Sequence, residues 1–124
     1  MYRFSFEKLD VWKEAKSLTV LIYSICQQLP SDEKYNLSSQ TKRASISVLN
    51  NIAEGAGRIN PRDQARFTEI AYASLMEVFN CVIVSYELNY YSARQVNEIR
   101  EKVAKLSSRL INYRNSQLRR VEIG

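Results

Sequence analysis

Apolar residues recur along this chain at helical spacing in four long runs, parted by short polar breaks. In the first, Val11, Ala15, Leu18, Ile22, Ile25 and Leu29 repeat at 4-3-4-3-4 and predict a helix over 7–29. Pro30-Ser31-Asp32-Glu33 ends it, with Ser31 or Asp32 placed to cap the next segment. The second run, over 33–57, has two faces. Leu37, Thr41, Ala44, Val48, Asn51 and Gly55 share one, and Ile46, Leu49 and Ala53 form a second apolar strip on the far side. Between them runs a polar ladder of Gln40, Arg43, Ser47, Asn51 and Glu54. Such a helix reads as central, touched on several sides. Gly55 and Gly57 stand where a helix C-terminus favours glycine.

Asn60-Pro61-Arg62-Asp63 reads as a restart: an N-cap, a proline at the first helical position, and an acid in the positive first turn. The helix it predicts, over 61–88, carries Phe67, Ala71, Ser74, Val78, Cys81, Ser85 and Leu88 on one face. Ser92 and Gln95 form a capping box for a last helix over 92–117, where Val96, Ile99, Val103, Leu106, Leu110 and Tyr113 repeat. Past Gln117 the tail is expected to be loose, and residues 1–6 to form an arm whose Tyr2, Phe4 and Phe6 either staple onto the body or fray.

Four amphipathic segments with short connections predict an all-α fold, an up-down-up-down antiparallel four-helix bundle in a single domain over 1–124. The third helix also carries Tyr72, Met76, Phe79 and Ile83 beside its core face. With Ile46, Leu49 and Ala53 these exceed what a bundle monomer buries, so a subunit interface in a homo-oligomer is expected there.

Composition narrows the chemistry. Among 124 residues there is no histidine, which removes the commonest general acid/base and metal ligand. A carboxylate-bridged metal site in a bundle needs Glu-x-x-His pairs, and Glu69, Glu77 and Glu87 fall off the core face. Cys26 and Cys81 sit inside apolar patterns with no visible base, as buried reduced thiols. No enzyme activity, metal or cofactor is expected. No apolar run has the length of a membrane span, and Met-Tyr-Arg-Phe-Ser-Phe-Glu-Lys does not read as a signal peptide, so a soluble, cytoplasmic protein is expected, with no membrane partner.

Charge adds a candidate site. The chain holds 18 Lys and Arg against 13 Asp and Glu, a net charge of +5. Between Arg100 and Arg120 seven cations face Glu101 alone, and Lys102, Lys105 and Arg109 share a helical stripe. Arg58, Arg62 and Arg66 bracket the turn between the second and third helices, with Arg62 and Arg66 spaced to reach one phosphate. These six residues are the candidate nucleic-acid-binding set, for RNA or DNA backbone, since no pattern for base-specific readout is present. The polar ladder has two readings. It is either a buried structural network, with Glu77 answering Arg43, or a groove lined by Arg43, Asn51 and Glu54.

Tyr35-Asn36-Leu37-Ser38-Ser39-Gln40-Thr41-Lys42-Arg43-Ala44, with Ser47, Asn51-Ile52-Ala53-Glu54-Gly55 and Arg58, resembles a known family. It is similar to the four-helix-bundle proteins encoded by intervening sequences in bacterial 23S rRNA genes, a family related to the accessory protein of diversity-generating retroelements. Leu9-Asp10-Val11-Trp12 with Ala15, Pro30 before Glu33, and Phe67 with Ala71-Tyr72-Ala73-Ser74-Leu75-Met76-Glu77-Val78 extend the resemblance. It departs at Leu49, where the family often has proline, and at Asn36, where it often has glycine. The resemblance implies a closed bundle assembling into a ring-shaped homo-oligomer, a pentamer, with a basic surface. In the retroelement branch such a ring binds nucleic acid and a reverse transcriptase. Two functions stand at this point. One is nucleic-acid binding by basic helix surfaces, in the manner of an accessory or scaffold for a nucleic-acid enzyme. The other is a structural or protein-interaction module whose charge is incidental.

Overall fold

A computed structural model of the chain describes the backbone of residues 1–123 and the side chains of residues 1–121. Its four helices are α1 (Asp10–Cys26), α2 (Leu37–Ala56), α3 (Pro61–Glu87) and α4 (Ala93–Ile123). Cross-helix contacts give their directions. Thr19 of α1 reaches the Ser45 carbonyl of α2 at 3.4 Å, and Tyr23 of α1 meets Lys42. Ser47 and Ser74 hydroxyls lie 2.8 Å apart, while Gly55 abuts Phe67. Phe79 of α3 lies under Arg100 of α4, and Thr68 donates to Gln117 at 2.7 Å. Glu14 with Arg109 and Gln28 with Gln95 close α1 onto α4. Numbers rise on one helix as they fall on its neighbour at every seam. Among the described residues no Cα of α1 comes within 8 Å of one in α3, nor one of α2 within 8 Å of α4. That is the up-down-up-down bundle the periodicity predicts.

The core is drawn from the predicted faces. Ile22, Val48, Ile52, Leu75, Val78, Ile99, Leu106 and Leu110 are buried together. Thr19, Thr41 and Ser85 are buried too, and each hydroxyl donates to the carbonyl four residues back, at 2.8, 2.6 and 2.8 Å. Their polar atoms are satisfied within their own helices. Helix α3 is long and apolar enough to cross a bilayer by length and composition alone. In the bundle its Ala71, Leu75, Val78 and Val82 line the core.

Besides α1 ending at Cys26 and not at Leu29, three boundaries differ from expectation. The first helix starts later, because Leu9 is extended (φ −71°, ψ 131°) and residues 5–8 form a separate 3-10 turn. The arm before it staples rather than frays: Phe6 packs edge-to-face on Trp12, centroids 5.2 Å apart, and Lys16 covers the same indole at 4.9 Å. The second helix starts at Leu37, not at the Ser31 or Asp32 caps, whose segment is a 3-10 turn. Glu33 in that turn accepts from Asn36 at 3.1 Å and from the Tyr90 hydroxyl at 3.2 Å, tying it to the α3–α4 connection. The third difference is the tail. Residues 118–123 continue α4, because Gln117 is buried against Thr68 and Arg120 reaches Gln64 at 3.4 Å. Gly124 lies outside the described residues.

Helix caps follow the sequence closely. Asn60 accepts from the Arg62 N–H at 2.8 Å ahead of Pro61. Ser92 and Gln95 exchange backbone hydrogen bonds at 2.9 and 3.1 Å, completing the capping box. The C-terminus of α3 closes with Tyr90 N–H on Ser85 O and Asn89 N–H on Tyr86 O, both 2.9 Å. Asn89 takes the left-handed conformation, φ 66°, that this closure requires. Gly57 is the C-cap of α2, its N–H on Ala53 O and Glu54 O at 3.2 and 3.1 Å, though neither it nor Gly55 has positive φ. Gly55 instead lets α2 and α3 approach so closely that a Cβ there would stand 2.9 Å from Phe67 Cβ and 3.2 Å from Gln64 O.

Candidate nucleic-acid interface

The antiparallel topology carries the C-terminal halves of α2 and α4 to the same end of the bundle as the start of α3. Arginines from separate stretches therefore meet there. Arg58, just past α2, and Arg66, in the first turns of α3, both stack on Phe67, at 4.7 and 4.8 Å from its centroid. Arg66 also lies 4.0 Å from Asp63, an exposed pair of little strength. Arg62 opens instead onto a hollow of about 250 Å³ that it shares with Asn60, Pro61, Arg120 and Val121. Spacing alone pairs Arg62 with Arg66; the fold pairs Arg58 with Arg66 around a ring and Arg62 with Arg120. Arg120 stands outside the six candidate residues, because by sequence the tail that carries it looks loose.

The α4 stripe is only partly free. Lys102 and Lys105 are exposed and line a cleft of about 250 Å³ with Lys13 and Glu14 of α1. Arg109 is ion-paired with Glu14, and Arg114 with Glu69 at 3.3 Å. Arg100 lies over Phe79, 4.7 Å from its centroid.

The polar ladder is not one buried network. Gln40, Arg43, Glu54 and Glu77 are exposed, and among the described residues no ion pair joins Arg43 to Glu77. Only Ser47 and Asn51 are tied in: Asn51 donates to Ser47 O at 2.8 Å, and Ser47 meets Ser74. The reason is rotational. Ser47 reaches Ser74 of α3 and holds Asn51 beside it, while Arg43 and Glu54 turn toward the outside. There they join Tyr23, Tyr35, Lys34 and Lys42 along an open groove of about 710 Å³ on the outer face of α2. Ser47 and Asn51 line this groove as well.

The apolar strips also separate. Leu49 packs onto the core, Ala53 is half-buried, and Ile46 is exposed within the α2 groove. On α3, Tyr72 and Phe79 are half-buried against the bundle while Met76 and Ile83 stay exposed. Tyr72 lines a hollow of about 320 Å³ with Leu110, Ile111 and Arg114 of α4. Ile46 thus lies beside Tyr23 of α1, while Tyr72 and Phe79 lie beside α4.

A family model, described as 23S rRNA-intervening sequence protein, matches residues 7–112, most of the chain. The chain belongs to that family. A crystal structure of a protein of unknown function from the S23 ribosomal protein family of Bacteroides thetaiotaomicron VPI-5482 superposes with a TM-score of 0.76 at 20% identity, covering 83% of this chain and 96% of that one. At that identity it bears on the fold alone, which it shares. No curated protein matches the chain. Leu49 lies within an unbroken α2, and Asn36 stands as its N-cap residue. Its thiols are free and buried, and burial pushes both Cys26 and Cys81 above their ordinary pKa of 9.0, away from nucleophilic thiolate. Beside them Tyr91 donates to Cys26 Sγ at 3.9 Å, its own phenol pushed up by burial and then by that thiol.

Proposed function

We propose that this chain is a non-enzymatic, cytoplasmic, homo-oligomeric four-helix bundle that binds RNA or DNA through its backbone phosphates, as an accessory or scaffold for a nucleic-acid enzyme. The observation that carries this reading is the convergence of Arg58, Arg62, Arg66 and Arg120 at one end of the bundle. Guanidinium groups presented from a packed aromatic ring are pre-organised for phosphate oxygens. Lys102 and Lys105, with Lys13, add charge along the α1–α4 cleft. Self-association is supported by the exposed Met76 and Ile83 on α3 and Ile111 on α4. Contact between such a strip and an unlike face of the next copy is the head-to-tail kind that closes rings, and a pentamer is the ring we propose. The competing reading, incidental charge on a structural module, is favoured at Arg109 and Arg114 by their ion pairs.

The test is binding of labelled structured RNA and duplex DNA across a salt series, comparing the native chain with Arg58→Gln/Arg62→Gln/Arg66→Gln. For each phosphate that the variant no longer neutralises, the duplex log K against log salt slope should flatten by about 0.9. No binding of either nucleic acid at low salt overturns the reading. A monomer mass at micromolar concentration overturns its oligomeric half.

A further inference from the structure

The outer face of α2 combines features that neither bundle packing nor phosphate binding alone accounts for. Tyr35 is 86% exposed in the connection before α2, and Tyr23 of α1 is 41% exposed across from it. Neither ring packs into the core. Each is instead attended by a lysine: Lys34 lies 5.3 Å from the Tyr35 centroid and Lys42 lies 5.1 Å from that of Tyr23. Both rings and both lysines line the same groove, which Arg43 joins and which Glu54 alone answers with negative charge. From Ser39 to Glu54 the groove follows α2 for about 22 Å at 1.5 Å per residue, room for several nucleotides of a stacked strand.

We propose that this groove holds unpaired bases of a single-stranded nucleic-acid segment, stacked on Tyr23 and Tyr35, with Lys34, Lys42 and Arg43 on its phosphates. Aromatic faces interleaved with cations are what single strands need and duplexes cannot use, because paired bases keep their faces inside the stack. The exposed Asn50 at the groove adds amide hydrogen-bonding capacity without fixing a sequence. The inference rests on the nucleic-acid reading above and names its substrate class: the arginine-rich end takes backbone of any form, and the α2 groove selects unpaired strand.

The experiment measures binding of a labelled oligo(U) and of a blunt RNA duplex of equal length to the native chain, Tyr23→Ala/Tyr35→Ala, Tyr23→Phe/Tyr35→Phe, and the triple arginine variant. The alanine pair should weaken oligo(U) binding by about thirtyfold or more, the loss of two stacked bases. It should leave duplex binding within about twofold, and the phenylalanine pair should restore oligo(U) affinity, since stacking needs the ring and not the hydroxyl. Equal oligo(U) affinity in the native chain and the alanine pair, with the arginine variant weakened for both ligands, overturns the groove and leaves the backbone-binding reading intact. Equal weakening of both ligands in the alanine pair overturns stacking selectivity. Absence of binding to either ligand by the native chain at low salt overturns both. Exposed positions keep the comparison clean, and unchanged thermal melting of the two tyrosine variants verifies it.

Discussion

Adding one methyl group at Gly55 and, separately, at Gly57 tests the closest helix contact in the bundle. Both glycines close α2, and helix propensity alone predicts that alanine stabilises each. At Gly57 nothing opposes that gain. The nearest atoms to a new Cβ are Glu54 O at 3.5 Å and Ala53 O at 3.7 Å, ordinary contacts, and φ is −87°. Gly57→Ala should therefore stabilise by about 0.4–1 kcal/mol, through the reduced freedom of the unfolded chain. At Gly55 the same gain meets two hard neighbours on α3: Phe67 Cβ at 2.9 Å and the Gln64 carbonyl at 3.2 Å. Neither can swing aside. One is anchored to backbone, and its ring is held by Arg58 and Arg66; the other is backbone. The helices must part locally, at the roughly 1–3 kcal/mol typical of overpacking.

Two immovable neighbours put the cost at the upper end, about 3 kcal/mol, and a helix-propensity gain of about 1 kcal/mol then leaves Gly55→Ala destabilised by about 2 kcal/mol. For a domain of this size that lowers the melting temperature by about 4–8 °C. Gly57→Ala should raise it by about 2–3 °C. Circular-dichroism melts at one fixed protein concentration read both. Urea unfolding should show the midpoint shifting with the slope unchanged. If Gly55→Ala raises the melting temperature as much as Gly57→Ala, the close approach of α2 to α3 is not as described and the reasoning fails.

Asn89 holds φ 66° at the α3 C-terminus, so Asn89→Gly should stabilise by a few tenths to about 1 kcal/mol while Asn89→Ala costs about 1 kcal/mol, read by the same melts; the opposite order would refute the closure. Alkaline stability should fall in two stages: Cys26 and Cys81, raised by burial, hold their protons in the folded state above pH 9.0 while the unfolded chain releases them, and Tyr91 does so above pH 10.0. Each such group contributes stability that is full below its unfolded pKa and declines by up to about 1.4 kcal/mol per pH unit until the folded pKa is reached. Tyr91→Phe should flatten the decline above pH 10.0 in urea titrations, and an unchanged slope there would count against the assignment.

The fold was legible because periodicity and caps speak to local geometry. Asn60-Pro61 and Ser92 with Gln95 announced two helix starts, and both caps form with the expected bonds. The misplaced boundaries were decided at long range. Asp32-Glu33 looks like a helix start, but Glu33 is engaged by Tyr90 from 57 residues away. The tail looks loose until Gln117 finds Thr68, 49 residues back. Glycine misleads for a related reason: Gly55 near a helix end suggests a cap, whereas its place against Phe67 shows only when α3 is laid beside α2.

The candidate site was less legible than the fold because a charge inventory is local and charge availability is not. Seven cations between Arg100 and Arg120 look like one basic face. Glu14 reaches Arg109 from 95 residues away and Glu69 reaches Arg114 from 45, so two of them are engaged by neighbouring helices. The turn set moves the other way. Arg58 and Arg66 gain a common platform in Phe67, and Arg62 gains Arg120 as a neighbour. The same logic governs α2. Of its ladder α3 engages Ser47 through Ser74, and it leaves Arg43 and Glu54 exposed beside Tyr23 and Tyr35 in a groove that Ser47 and Asn51 also line. Helical spacing sets where a side chain points relative to its own axis. The neighbouring helix sets which of those side chains stay free to meet a ligand, and in this bundle it frees the turn arginines and the outer face of α2.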